Sequence, residues 1–291
     1  MARGAVEGRA ARFAVVGHVE WVDFVQVPHV PVPGEILEAG PAWEEAAGGG
    51  AVAAVQLAKL AGGATLFTAL GDDDHGQRAK AQLQSQGVEV HAAVRIGPQR
   101  RAVTFLDDQG ERTITVIDER LVPSGQDDLP WDRLAEMDGV YFTGGDVGAL
   151  RAARAARTLV ATPRAGDALN ASNVTLDALV RSAADHGEQA EPEGNGWSAR
   201  MVFTTHASRG GTYVGSQGET GSFEAAPLTG PVVDSYGAGD SFAAGLTFGL
   251  GSGMSVEKAL ALGARCGAGN LTARGPYSGQ PTAADIALLR A

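Results

Sequence analysis

The chain has 291 residues, 44% of them apolar, with a formal net charge of −11. That is enough apolar material for one large α/β core, and the charge argues against non-specific binding to nucleic acid or anionic membranes. No apolar run is long enough to span a bilayer, and Met1 to Arg12 lead into Phe13-Ala14-Val15-Val16 without the apolar core of a signal peptide, so a cytoplasmic protein is expected.

Short β-branched or aromatic runs alternate with longer Ala/Leu/Arg segments. In chain order they predict a strand over 12–17, a helix over 51–60, a strand over 64–69 and a helix over 76–86. A strand over 139–143, a helix over 149–156, a strand over 158–162 and a helix over 176–184 follow. Strands over 201–205 and 211–214 and helices over 241–249 and 256–268 complete the series. Such alternation is the signature of a three-layer α/β/α sandwich with a mostly parallel sheet, here a single domain over 1–291. Two stretches, 20–38 and 101–118, break the rhythm and read as antiparallel excursions; in the second, two β-branched runs flank a polar turn at 107–112. Residues 186–198, rich in Gly, Glu and Pro, predict a surface loop. Cys266 is the single cysteine, which excludes an intramolecular disulfide and a cysteine-rich zinc site; its expected role is a small core residue on a helix.

The chemistry concentrates near the C-terminus, where Val232-Val233-Asp234-Ser235-Tyr236-Gly237-Ala238-Gly239-Asp240-Ser241-Phe242 joins an apolar run to a glycine turn, an acid and a small-residue helix. A helix starting at Gly237 has first amides without intrahelical partners, and these with the dipole can hold a phosphoryl group. Asp240, one turn in, could accept a proton from a hydroxyl attacking that group. The plainer alternative is a glycine turn before a helix whose dipole favours an acid in its first turn. The only lysines, Lys59, Lys80 and Lys258, stand in none of the contexts of a P-loop or of a protein-kinase strand lysine.

Asp234 to Ser241 closely resembles the C-terminal signature of the ribokinase-like, or PfkB-type, carbohydrate kinases, usually Asp-Thr-x-Gly-Ala-Gly-Asp. The resemblance implies that fold, with a small β-sheet lid formed by 20–38 and 101–118 over the sugar site. It makes Asp240 the catalytic base, Gly237, Ala238 and Gly239 the anion hole, and Asp234 part of a potassium site. Weaker landmarks agree in order and spacing: Gly17, Pro33-Gly34-Glu35, Gly48-Gly49-Gly50, and Leu70-Gly71-Asp72-Asp73 followed by Gly76. Thr205, Ser208 and Gly210 lie in a stretch similar to the family's Thr-x-Gly-x-x-Gly turn at the nucleotide, and Asn270 falls near the expected adenine.

The departures concern the acceptor. Family members usually carry Asp five residues after the first-strand glycine, a position held here by Val22. Strand alternation puts Glu20 on the face of position 22 and Asp23 on the other, so Glu20 is the first choice for a replacement and Asp23 the second, with solvated lid residues as the alternative. Gly48 and Gly49 precede a helix lacking the asparagine that many sugar kinases place at its start, and they serve either close packing or substrate entry. The family's Asn-x-x-Glu, which organises magnesium and phosphate, is read at Ser182 and Asp185, with Asp185 holding the metal through water. Thr162-Pro163-Arg164 stands where Asp-Pro-Asn would be common.

Among the histidines only His18 and His206 are site candidates, His18 as a pocket-lining or a satisfied core residue. Arg209 and Arg274 are candidates for nucleotide phosphates or for solvated loops. The combined reading is an ATP- and magnesium-dependent kinase, with potassium as a further cofactor, acting on a hydroxyl of a sugar or sugar-like molecule such as a nucleoside. A homodimer through the lid is left open. The alternatives are a non-catalytic sugar- or nucleotide-binding regulator on the same fold and a dinucleotide oxidoreductase, which would need Gly-x-Gly-x-x-Gly after the first strand.

Overall fold

The computed structural model describes residues 11–188 and 197–288. The signal-peptide reading and most of the predicted 186–198 loop therefore fall outside the described residues.

From the N-terminus the elements are β1 (Phe13–Val16), β2 (Glu20–Gln26), β3 (Ala42–Ala47), α1 (Gly49–Ala61), β4 (Ala64–Gly71), α2 (Asp74–Ser85) and β5 (Val88–Arg95). There follow β6 (Arg101–Leu106), β7 (Arg112–Ile117), β8 (Gly139–Phe142), α3 (Val147–Ala153), β9 (Leu159–Ala161), α4 (Gly166–Asn170) and β10 (Thr175–Ser182). The last group is β11 (Ser198–Thr205), β12 (Gly211–Gly215), β13 (Thr220–Phe223), α5 (Ala238–Gly251), α6 (Val256–Asn270) and α7 (Ala283–Leu288). No described helix is long and apolar enough to cross a membrane.

Among the described residues the main sheet has nine strands in the order β13-β12-β11-β10-β9-β8-β1-β4-β5, parallel from β11 to β5 and antiparallel at its β12–β13 edge. Central strands such as β1 and β4 are buried at every position, as expected where helices cover both faces; β12 and β13 alternate instead, as an edge does. On one face, α5 and α6 pack closely because both present glycines: a methyl at Gly245 would lie 2.8 Å from Cys266 Sγ, and one at Gly249 2.7 Å from Ala259 Cα. Cys266 is accordingly a buried helix residue, and burial pushes its thiol well up.

The lid is a four-stranded sheet, β3-β2-β6-β7, antiparallel at both flanking pairs and parallel at β2–β6. Its third strand, β3, lies outside the predicted lid segments, and residues 28–41 form a largely exposed loop in which His29 Nε2 sits 2.9 Å from Glu35 Oε1. Gln99 ties the lid to the main sheet: buried, it accepts from Gly71 N at 3.0 Å and donates to Val19 O at 2.7 Å. The predicted helix over 176–184 is instead β10. Its Leu176, Leu179 and Val180 suit either state, and pairing with β9 on one side and β11 on the other outweighs their helix propensity.

Candidate active site

Gly237 caps α5 in the left-handed conformation, φ 82°, which glycine reaches without the Cβ penalty. No side chain caps the helix, and its first internal bond runs from Ser241 N to Gly237 O at 2.9 Å. The amides of Ala238, Gly239 and Asp240 thus have no intrahelical acceptor, and a Cβ added at Gly239 would meet open space. This is an anion cradle at a helix N-terminus.

Asp240 projects from the first turn of α5 against the start of α1. A methyl at Gly49 would lie 2.9 Å from Asp240 Oδ1 and 2.9 Å from Thr143 Oγ1, so no side chain can stand there while the carboxyl keeps its place. Asp240 keeps partial access to solvent, but the protein packed around it raises its carboxyl to about 6; Glu188 adds to the rise, while Arg112 and Arg164 oppose it. Such a carboxyl is mostly ionised at pH 7 and still basic enough to take a proton from a positioned hydroxyl.

On β2, Glu20, Val22 and Phe24 share the inner face, as alternation requires. Glu20 is buried with its Oε1 2.7 Å from Arg100 Nε and 3.7 Å from His18 Nε2. Desolvation raises the Glu20 carboxyl against the pull of Arg100, and desolvation reinforced by Arg120 and Arg100 holds His18 well below the ordinary imidazole range, neutral at pH 7. Gly48 (φ 85°) forms the floor: a methyl there would stand 3.2 Å from Glu20 Cγ and from His18 Cδ2. Its amide donates to Tyr236 Oη at 3.2 Å, and Tyr236 meets Phe24 edge-on, so lid, α1 and cradle converge on one aromatic. Asp23 points to the other face and pairs with Arg101 at 2.7 Å, away from this cluster.

On the far side of Asp240, Ser182 ends β10 and its amide donates to Glu188 Oε2 at 2.7 Å. Arg164 bonds both Asp185 and, at 2.9 Å, Glu188. Thr205 closes β11, and Ser208 is exposed in the turn leading to Gly210, φ 77°. Ala207, where the motif has glycine, takes φ 52°. Beside this turn a groove of about 570 Å³ runs between His206, Arg209, Thr212 and Phe223, and Phe223 stacks on Phe242 of α5 with centroids 5.6 Å apart. Asn270 is fully buried, donating to Pro276 O at 2.8 Å, and Arg274 lies over the Trp43 ring at 4.7 Å rather than in the groove. Asp234 is buried and accepts from Tyr236 N at 2.8 Å and Gly275 N at 2.9 Å.

Sequence reading thus assembles Asp240, the cradle, Gly48, Gly49, Glu20 and His18 in one place. It misses Thr143, Arg100, Arg112, Arg120 and Glu188. Only Glu188 left a signal: Asp185-His186-Gly187-Glu188 has the Asn-x-x-Glu spacing with its final Glu, three residues on from the register first read, an offset hidden by treating β10 as a helix. The arginines are distant in sequence and carry no motif. Arg112, at the start of β7, reaches across to Ser235 O at 2.9 Å, next to the cradle.

Residues 10–185 and 160–283 match the family model described as pfkB family carbohydrate kinase. Among curated proteins, the chain is 30% identical to the ATP-dependent ribose-1-phosphate kinase of Halopiger xanaduensis over 95% of this chain and 97% of that one. It is 29% identical to the fructoselysine 6-kinase of Escherichia coli over 72% of this chain and 84% of that one. Among solved structures, Arabidopsis thaliana ribokinase complexed with ribose and ATP superposes with a TM-score of 0.77 at 21% identity, covering 97% of this chain and 99% of that one.

Proposed function

Since this chain belongs to the pfkB family of carbohydrate kinases, we propose that it phosphorylates a hydroxyl, a primary alcohol by preference, on a sugar or sugar-like acceptor, with Asp240 as the base. The observation that carries the assignment of Asp240 is its carboxyl, raised to about 6, at the mouth of a helix N-terminus with three free amides. Bound ATP would supply the phosphoryl group, and a magnesium ion, if held here, would offset the charge on its oxygens. The open face above Gly239 and the groove leading from His206 and Arg209 to α5 fit a nucleotide, and the oxygen donors Asp185 and Glu188 fit a hard divalent ion that keeps most of its waters.

Asp240 accepts the hydroxyl proton; the amides of Ala238, Gly239 and Asp240 meet the charge on the phosphoryl oxygens; Arg112, carried by the lid, brings a cation to the edge of the cradle. Asp185 and Glu188, in the register Asp-x-x-Glu, take over the role first read for Ser182 and Asp185. Thr205, Ser208 and Gly210 shape the nucleotide turn. The burial of Asn270 and its bond to Pro276 O speak for a structural post under the segment that follows α6.

A monovalent cation fits beside Asp234. Burial raises its carboxyl, and Glu45, beside the same Gly275, keeps a buried Oε2 without a hydrogen-bond partner and is pushed up to about 7. The lid supports a homodimer, since β7 exposes Ile114, Val116 and Ile117 along an edge strand. The use of ATP supports a cytoplasmic site of action.

The relatives act on different acceptors, so the test is ADP release with ATP, magnesium and potassium across a panel of sugars, nucleosides, sugar acids and sugar phosphates, with Asp240→Asn as control. Acceptor-dependent ADP release that Asp240→Asn abolishes is the expected result. Turnover that survives the substitution would remove Asp240 from the mechanism.

A further inference from the structure

Of the three arginines around the acceptor site, Arg100, Arg120 and Arg164, two are paired with carboxylates and Arg120, among the described residues, is not. Arg100 is matched by Glu20 at 2.7 Å, and Arg164 by Asp185 and Glu188. Arg120, half-buried, has no carboxylate within ion-pair distance among the described residues; its one side-chain hydrogen bond is from Nη1 to Arg164 O at 3.3 Å. Stripping a guanidinium of water without a counter-charge is costly, and here like charges crowd it as well. Burial, Arg100 and Arg164 push its pKa down, against the opposing pull of the more distant Glu20 and Asp240 carboxylates.

His18 supplies a second, independent sign. It is 6% exposed, and its Nδ1 is buried with no hydrogen-bond partner. That atom faces Gly144, where an added methyl would lie 3.7 Å from His18 Nδ1 and 3.4 Å from Val122 Cγ1, two residues from Arg120. A neutral imidazole can place its proton on Nδ1 and donate. Meanwhile Val22 takes the place of the carboxylate that would receive sugar hydroxyls, and Glu20 is engaged by Arg100.

We propose that the acceptor is an anionic sugar, its phosphate monoester or carboxylate held by Arg120 with Arg100 and His18 while its reacting hydroxyl lies at Asp240. The inference rests on the kinase reading above for the placing of that hydroxyl. The floor sets the length: methyls added at the adjacent Gly49 and Gly48 would lie 2.9 Å from Asp240 Oδ1 and 3.2 Å from Glu20 Cγ and His18 Cδ2, and consecutive Cα atoms are about 3.8 Å apart, a separation of the order of one monosaccharide. A guanidinium fork matches the planar pair of oxygens of either anion, and several donors favour the dianion.

The test is calorimetric binding to the full chain of matched neutral and charged probes: ribose with ribose 1-phosphate and ribonate, fructose with fructose 1-phosphate. Charged members should bind at least tenfold more tightly than their neutral partners; a phosphate-only or carboxylate-only preference identifies the source of the anion. Arg120→Met, or Arg120→Gln should the first fail to melt cooperatively, should reduce that ratio at least tenfold. Arg101→Met, which removes a lid arginine paired with Asp23 outside the pocket, should not change it. Equal affinities, no binding of any charged probe, or a ratio that survives both Arg120 variants overturns the proposal. ADP release measured in parallel separates the two readings: a binding preference without phosphorylation keeps the anion site and sinks the kinase assignment.

Discussion

Asparagine at position 240 is expected to yield a protein that is inert and, at neutral pH, more stable than its parent. The Asp240 carboxyl rises from 3.8 to about 6 on folding, so near pH 5 the folded chain holds a proton that the unfolded chain has released. Stability therefore falls as pH rises through that window, and above it the ionised carboxylate carries the whole cost. Two pKa units correspond to about 3 kcal/mol at about 1.4 kcal/mol per unit. Partial solvent access reduces this to about 1–3 kcal/mol. For a chain of this length about 1 kcal/mol moves the melting temperature by about 2 °C, which makes the expected gain about 2–6 °C. Paired melts of parent and Asp240→Asn at pH 7.5 should show that gain, and at pH 4 it should shrink toward zero. The parent's turnover should fall about tenfold per pH unit below about 6. Equal melting temperatures at pH 7.5, or a gap that persists at pH 4, would show that Asp240 is not held at a raised pKa by its surroundings.

Gly49→Ala puts a methyl 2.9 Å from Asp240 Oδ1 and must displace the carboxyl; turnover should drop about ten- to hundredfold in a protein that still melts cooperatively, and unchanged kcat would refute the contact. Gln99→Leu strands Gly71 N and Val19 O beneath the lid and should cost about 2–4 kcal/mol in urea denaturation; a loss under about 1 kcal/mol would mean that water replaces the amide. Ile114→Lys combined with Val116→Lys should turn a dimer into a monomer in sedimentation equilibrium, and a monomeric parent would rule out assembly through β7.

Where local chemistry dictates a backbone, the sequence is readable. Glycines flanking Asp240 and an apolar run before them specify a turn, a helix and a free N-terminus whatever the rest of the chain does, and the alternation of β2 fixes which of Glu20 and Asp23 faces inward. Where the state depends on neighbours, it is not readable. β10 is a Leu- and Ala-containing segment made a strand by two partners far away in sequence, and that one error displaced the Asp-x-x-Glu reading by three residues. Arg100, Arg112, Arg120 and Arg164 come from four separate segments, and only the fold reveals that their charges meet. β3 was missed for a further reason: Ala42-Trp43-Glu44-Glu45-Ala46-Ala47 has no β-branched residue and is held by its register with β2.

Transfer and recognition are borne by different pieces of this molecule. Gly237 to Asp240 belong to α5 and the large sheet's helical layer, whereas Glu20 lies on a lid strand and Arg100 immediately precedes another; Arg112, which opens a third, reaches back to Ser235 next to the cradle. Inheritance can act on the two separately: drift in the lid strands and their approaches rewrites the menu of acceptors while the phosphoryl-handling helix stays constant. Because the lid is carried by two separate stretches of chain, β2–β3 and β6–β7, with α1 to β5 between them, single substitutions in its strands are a more direct route to a new acceptor than exchange of the lid as a block.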